Sequence, residues 1–190
     1  YRKFKYLMST LNVNTIGERT SDNGVTIDGL KVKDSTITSG NPIAVADMWR
    51  LTANLTGHNG TITSNLERCD APTGLGTIGT AMTQSSGIFT FPQVGLYWVR
   101  FVGYLFSSSD TYTQIEIEGT TNNSDYTLLA VNGDGDAGAG GSSVCEIFFA
   151  VTDTSTHKVR FQTSSFESGS QLFGHDDRNQ TTFTFIRLGD

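Results

Sequence analysis

The segment that most limits the fold is residues 95–106, GLYWVRFVGYLF. Aromatic and β-branched residues at this density read as a β-strand. One face of that strand is Leu96, Trp98, Arg100, Val102, Tyr104 and Phe106; the other is Tyr97, Val99, Phe101, Gly103 and Leu105. A half-buried antiparallel strand is apolar on one face only, and this one is apolar on both. Residues 142–152 repeat the pattern, with Val144, Glu146, Phe148 and Ala150 against Cys145, Ile147, Phe149 and Val151. So do residues 181–188, with Phe183, Phe185 and Arg187 against Thr184, Ile186 and Leu188. By contrast, residues 111–119 alternate cleanly: Thr113, Ile115 and Ile117 inward, Gln114, Glu116 and Glu118 outward. One sheet is therefore predicted to be covered on its outer face, and a second copy of the chain is the simplest cover. Trp98, Arg100, Phe148 and Phe185 are the residues predicted to line that contact. Pattern alone does not decide whether Phe148 or Phe149 faces the partner.

Further strands are predicted at 47–55, 64–69, 77–83, 87–91, 111–119, 125–131 and 157–164, which makes ten with the three above. Clusters of Gly, Asn, Asp and Ser separate them, including a glycine-rich stretch at 132–141 read as a turn. Good helix formers are scarce, and no long helix fits. The 12 Phe, 6 Tyr and 2 Trp among 190 residues exclude a disordered chain. No internal repeat points to a solenoid or propeller.

Three zones follow: a basic arm at 1–20, a thin strand-and-turn segment at 21–46, and the main body at 47–190. In the second zone Val25 and Ile27, then Leu30 and Val32 after Asp28-Gly29, give short strand runs with too little apolar surface for a core of their own. The formal net charge is −6, and residues 1–20 carry +3, so the body is strongly acidic. That excludes nucleic acid and anionic membrane as partners of the body and marks Arg2, Lys3 and Lys5 as a docking element. No apolar run is long enough for a membrane span, and no signal-peptide pattern is visible. The first residue is Tyr, which leaves an upstream or processed start open. Two cysteines, Cys69 and Cys145, are too few for a disulfide framework or a zinc site. Cys145 reads as a small buried hydrophobe, and a single disulfide stays open.

Residues 87–106, GIFTFPQVGLYWVRFVGYLF, resemble the signature of the C1q/TNF-like jelly-roll family. Residues 142–162 resemble that family's late hairpin, and TTFTFIRL (181–188) its closing strand. The resemblance covers about residues 47–190. It implies an all-β fold: a ten-stranded antiparallel jelly-roll sandwich preceded by an extended N-terminal arm and a short β neck. It also implies a homotrimer whose threefold axis is lined by the strands that read as apolar on both faces. NGVTIDGLKVKDSTIT (23–38) resembles an element found just before trimeric heads of bacteriophage and other viral fibre proteins. The resemblances together imply a structural virion protein located on the virion, a fibre or spike whose head binds a host-surface glycan or protein. Its arm would anchor it to other capsid or tail proteins. A capsid-decorating cement trimer and a soluble C1q-like glycan-binding lectin are the alternatives.

Candidate chemistry is thin. Asn132, Asp134 and Asp136 place oxygen side chains at alternate positions, like the start of a calcium loop, but Ala137 and Ser143 stand where such a loop needs Gly and Glu. Glu116 and Glu118 share a strand face expected to be solvated, so they are poor candidates for a hydrolytic pair. His58, His157 and His175 fall at predicted turns outside any nucleophile motif. The chain is therefore read as a non-enzyme without a cofactor. Asp134, Asp136, His175 and Asp177, on two predicted loops, are the candidate receptor contacts.

Overall fold

The computed structural model describes residues 43–190 apart from 71, 72, 110, 136 and 190, and the backbone of three short strands before them. The chain divides into two units, Tyr1–Asn41 and Pro42–Asp190. In the first unit β1 (Val25–Ile27) pairs antiparallel with β2 (Leu30–Lys33), which pairs with β3 (Thr36–Ile37). The short strand runs expected there are present. Arg2, Lys3 and Lys5 lie outside the described residues.

The second unit opens with β4 (Ala46–Leu51), β5 (Leu55–Thr56), β6 (Gly60–Thr61) and β7 (Leu66–Arg68). Next come β8 (Thr83–Ser85), β9 (Ile88–Thr90), β10 (Gly95–Ser107), β11 (Thr113–Thr120) and β12 (Thr127–Asp134). It ends with β13 (Ala139–Val151), β14 (Lys158–Ser164), β15 (Gln171–Leu172) and β16 (Thr182–Gly189). No helix occurs among the described residues. The strands form two antiparallel sheets. One runs β13-β10-β16-β4-β7, with β15 beside the far half of β10 and β5 beyond it. The other runs β12-β11-β14-β9-β8, with β6 against β14.

The core lies between the sheets and is largely aromatic. Tyr97, Val99, Phe101 and Leu105 of β10 and Phe183 and Phe185 of β16 are sealed inside with Ile115, Ile117, Val159, Phe161 and Phe89 from the second sheet. Phe161 and Phe183 approach to 4.6 Å between ring centroids, and Phe89 meets Trp49 edge-on at 5.4 Å. Such pairs each add about 0.5–1.5 kcal/mol beyond the area they bury. One carboxylate shares this interior. Asp47, in the inward phase of β4, accepts from Trp49 Nε1 at 3.1 Å, Arg68 Nε at 3.0 Å and Met82 N at 2.9 Å. A buried charge persists only when its lone pairs are met in this way.

Three expectations need correction. Thirteen strands, not ten, are described in the second unit. The extra ones, such as β6 and β15, are two-residue pieces that exist by pairing with β14 and β10, so no local pattern announces them. Residues 77–83 are not a strand: Ile78 makes a single bridge to Ala46, and β8 starts only at Thr83. The bend between them needs Gly79 at φ +67°, where a Cβ would strike the Ala44 carbonyl. The glycine-rich stretch 132–141 is mostly strand rather than turn, since β12 runs through Asp134 in the second sheet and β13 begins at Ala139 in the first.

The cysteine question is settled by position. Both thiols are free and buried. Burial pushes Cys69 up to about 11, against the pull of Arg50, and Cys145 up to about 12. The thiolate is the reactive form, and at pH 8 about a thousandth of Cys69 and about a ten-thousandth of Cys145 is ionised. Folded protein at pH 8 is expected to be inert to a disulfide-exchange reagent such as DTNB, and to release two equivalents once unfolded in guanidinium. Rapid labelling of either thiol in the folded state would contradict their placement.

Candidate assembly face and distal loops

Cross-strand register assembles the outer face of the first sheet. Leu96, Trp98, Arg100 and Val102 of β10 stand opposite Ala150, Phe148, Glu146 and Val144 of β13. On the other side Trp98, Arg100 and Val102 stand opposite Ile186, Thr184 and Thr182 of β16. The face is therefore mainly apolar across three adjacent strands, with Arg100, Glu146, Thr182 and Thr184 as its polar members. Phe148 is 71% exposed, the most open of the large apolar side chains, and Leu188, Tyr104 and Leu96 are also exposed. A contiguous exposed patch of this kind marks an interaction surface.

Of the four residues predicted for the contact, Trp98, Arg100 and Phe148 lie on this face. Phe185 does not. Its side chain points between the sheets, is fully buried and packs against Phe89 at 5.0 Å. When both faces of a strand are apolar, period two alone cannot say which face is out. The pairing of Trp98 with Ile186 decides it, placing Ile186 and Leu188 outward and Phe183 and Phe185 inward. The same logic settles the Phe148 and Phe149 alternative, since Phe149 is 9% exposed and faces the core. Ile186 and Leu188 are the face residues that sequence reading passed over; their phase opposite Phe183 was the available signal.

The rest of the outer face is covered by the chain itself. Arg50 lies on the outward side of β4, yet its side chain is fully buried, donating to Glu67 Oε1 at 2.5 Å and Asp70 Oδ1 at 2.7 Å. The segment 173–181 is tied to the same strand and to the residue after β7: His175 N donates to Leu51 O at 2.8 Å, and Asn179 accepts from Cys69 Sγ at 3.2 Å. Phe173 stacks on Tyr104 at 4.8 Å. Beside the open area, Val94, Gly95, Leu96, Ala150, Val151 and Thr152 line a mainly apolar hollow of about 550 Å³.

A second apolar surface lies on the sheet edge. β12 ends its sheet, and Leu128, Leu129 and Val131 on it are all exposed. Long apolar edge strands are surfaces that natural proteins cover.

The predicted receptor residues Asp134, His175 and Asp177 fall at one end of the sandwich, the end where β10 runs out, opposite the start of β4. Asp134 faces Thr113 there, and the segment 173–181 leads into β16 at the same end. Asn132 and Asp134 sit on β12 instead of an open loop. Asn132 Nδ2 donates to Val144 O at 2.7 Å while its Oδ1 accepts from Gly133 N at 2.8 Å, and the Asp134 carboxylate lies over Gly141. The Asn132 amide is thus engaged with the backbone of β12 and β13, and Asp134 lies beside β13. Asp136 lies outside the described residues. His175 Nδ1 is 2.7 Å from Asp177 Oδ1 and 3.0 Å from Asp176 Oδ1. The Arg178 guanidinium, donating at 3.1 Å, holds the Asp177 carboxyl below its ordinary range, and the charge of His175 adds to this. Elsewhere, Glu116 accepts from Ser164 and Glu118 from Arg160. His58 and His157 bond threonine hydroxyls.

No family model matches the sequence, and no curated protein matches it. Solved structures do. The Eiger TNF of S. frugiperda superposes with a TM-score of 0.58 at 11% identity, covering 79% of this chain and 95% of that one. Murine APRIL gives 0.55 at 10% identity, covering 76% and 98%. The PRD1 vertex protein P5 gives 0.47 at 12% identity, covering 77% and 99%. Sheet order and superposition together define the class of fold, a TNF-like jelly roll.

Proposed function

We propose that this chain is a structural virion protein that assembles as a homotrimer through the outer face of β13, β10 and β16. The observation that carries the reading is that open apolar face, with Phe148 at 71% exposure and no covering element among the described residues of its own unit. The second apolar surface, on β12, differs from the first. Face against edge is a heterologous contact, and heterologous contacts close into rings when the rotation allows. A jelly roll with these two surfaces is suited to a threefold ring. The virion placement draws on residues 23–38, which resemble the element before viral fibre heads. The basic residues Arg2, Lys3 and Lys5 serve as the anchor to other virion proteins.

The distal end is the receptor-facing surface in this proposal. Its loops vary freely while the strands hold the fold. Contacts there are polar, so affinity per site is weak, and three copies on one trimer raise it through avidity. The test is adsorption of particles carrying alanine at Asp134, Asp136, His175 and Asp177. Loss of adsorption of tenfold or more, with intact particles, is the expected result. Normal adsorption with fragile capsids would select the capsid-decorating role instead. If adsorption and particle stability both stay normal, this end is not the binding surface.

A further inference from the structure

The apolar assembly face is polar at its centre. Trp98 Nε1 donates to Glu146 Oε2 at 3.1 Å, and Arg100 Nε lies 3.7 Å from the same oxygen. Register forces the meeting, because Arg100 stands directly opposite Glu146 and Trp98 one pair further along. Val102, Val144, Phe148 and Ile186 surround the group on the same face. In the single chain the two charged side chains are 39% and 54% exposed. A pair so open to water contributes little to the stability of the head. It is also dispensable to the core, since none of its atoms faces inward. Neither packing nor folding accounts for its position.

We propose that the Trp98, Arg100 and Glu146 cluster selects the register in which copies of this chain dock. The inference rests on the reading of this face as a homotrimer interface and names the residues that make it specific. Hydrophobic burial is non-directional, so the surrounding side chains attract a partner without choosing one alignment. A buried charge does choose. Once the face is covered, Arg100 and Glu146 lose water, and each must keep an opposite charge or a donor. Alignments that set either against an apolar side chain of the neighbour are rejected. A single polar position plays this part within the apolar seam of a coiled coil. The occupant is a second copy of the chain, because the cluster lies within the face read as the contact between copies. The cluster is also continuous with the apolar side chains of that face on β10 and β13, while Thr184 stands opposite Arg100 on β16.

The test compares the full-length protein with Glu146→Ala, Arg100→Ala and the double variant Arg100→Met/Glu146→Met, using sedimentation across a concentration series. Far-ultraviolet circular dichroism checks that each head remains folded. Each single variant is expected to raise the concentration at which the trimer dissociates by tenfold or more, because it strands one charge. The double variant is expected to recover to within about threefold of the natural protein, but to populate dimers or larger species beside the trimer. Single variants within twofold of the natural protein would overturn the proposal, as would a double variant that forms trimers alone. A natural protein that stays monomeric at micromolar concentration would fail earlier, and would overturn the assembly reading itself.

Discussion

Replacing Phe148 with aspartate is expected to leave a folded head that no longer assembles. The natural protein should scatter light as a particle of about three times 20.6 kDa, and the variant as one copy. Phe148 is the most open large apolar side chain on the face, so its loss costs the single head within about 1 kcal/mol, the range of strand propensity. Covered by a neighbour, an aspartate there would be an unpaired charge in a dry contact. Truncating an anchoring aromatic alone removes about 2–4 kcal/mol from an interface, and a ring of three copies loses it at each contact. The melting temperature of the variant should then stop depending on protein concentration, since assembly no longer feeds the folding equilibrium. A variant that still scatters as a trimer would show that this face is not the interface.

Phe185→Ala is expected to behave in the opposite way. Phe185 is fully buried and meets Phe89, Phe91 and Phe161. Deleting it leaves a cavity among rings that cannot collapse onto one another, and such truncations cost about 3–5 kcal/mol. For a head of this size that is a fall of roughly 6–20 °C in melting temperature. The measurement belongs in the Phe148→Asp background, where assembly cannot mask the loss. If Phe185→Ala abolished assembly while leaving that melting temperature unchanged, Phe185 would be an interface residue after all, and the register of β16 would be wrong.

The two substitutions separate what pattern reading reaches from what it does not. Alternation in 95–106 and 142–152 located β10 and β13 to within a few residues, because long strands of aromatic and β-branched residues carry a strong period. It also marked the first sheet as covered on both sides, and the structure shows the open apolar face that this reading calls for. The residues of 181–188 were identified as a strand by the same signal, yet Phe185 was put on the wrong face. The distal side chains fared less evenly. Asn132 and Asp134 looked like loop ligands because glycine surrounds them, whereas pairing of that stretch with β11 draws both into β12. The stretch from His175 to Asn179 was read as a polar loop, but its anchorage to Leu51, Met48 and Cys69 depends on residues more than a hundred positions away.

The sequence by itself determined the all-β class, the sandwich of short strands and the need for cover on one sheet. These follow from local residue type and a period of two, and both are properties of neighbours along the chain. The tertiary structure alone decided which side of β16 faces out, where the two-residue strands form, and that Trp98, Arg100 and Glu146 meet on one face. Each of these depends on cross-strand register. Register is an energy shared between distant segments, and a slip of one residue exchanges the two faces of a strand without changing its pattern.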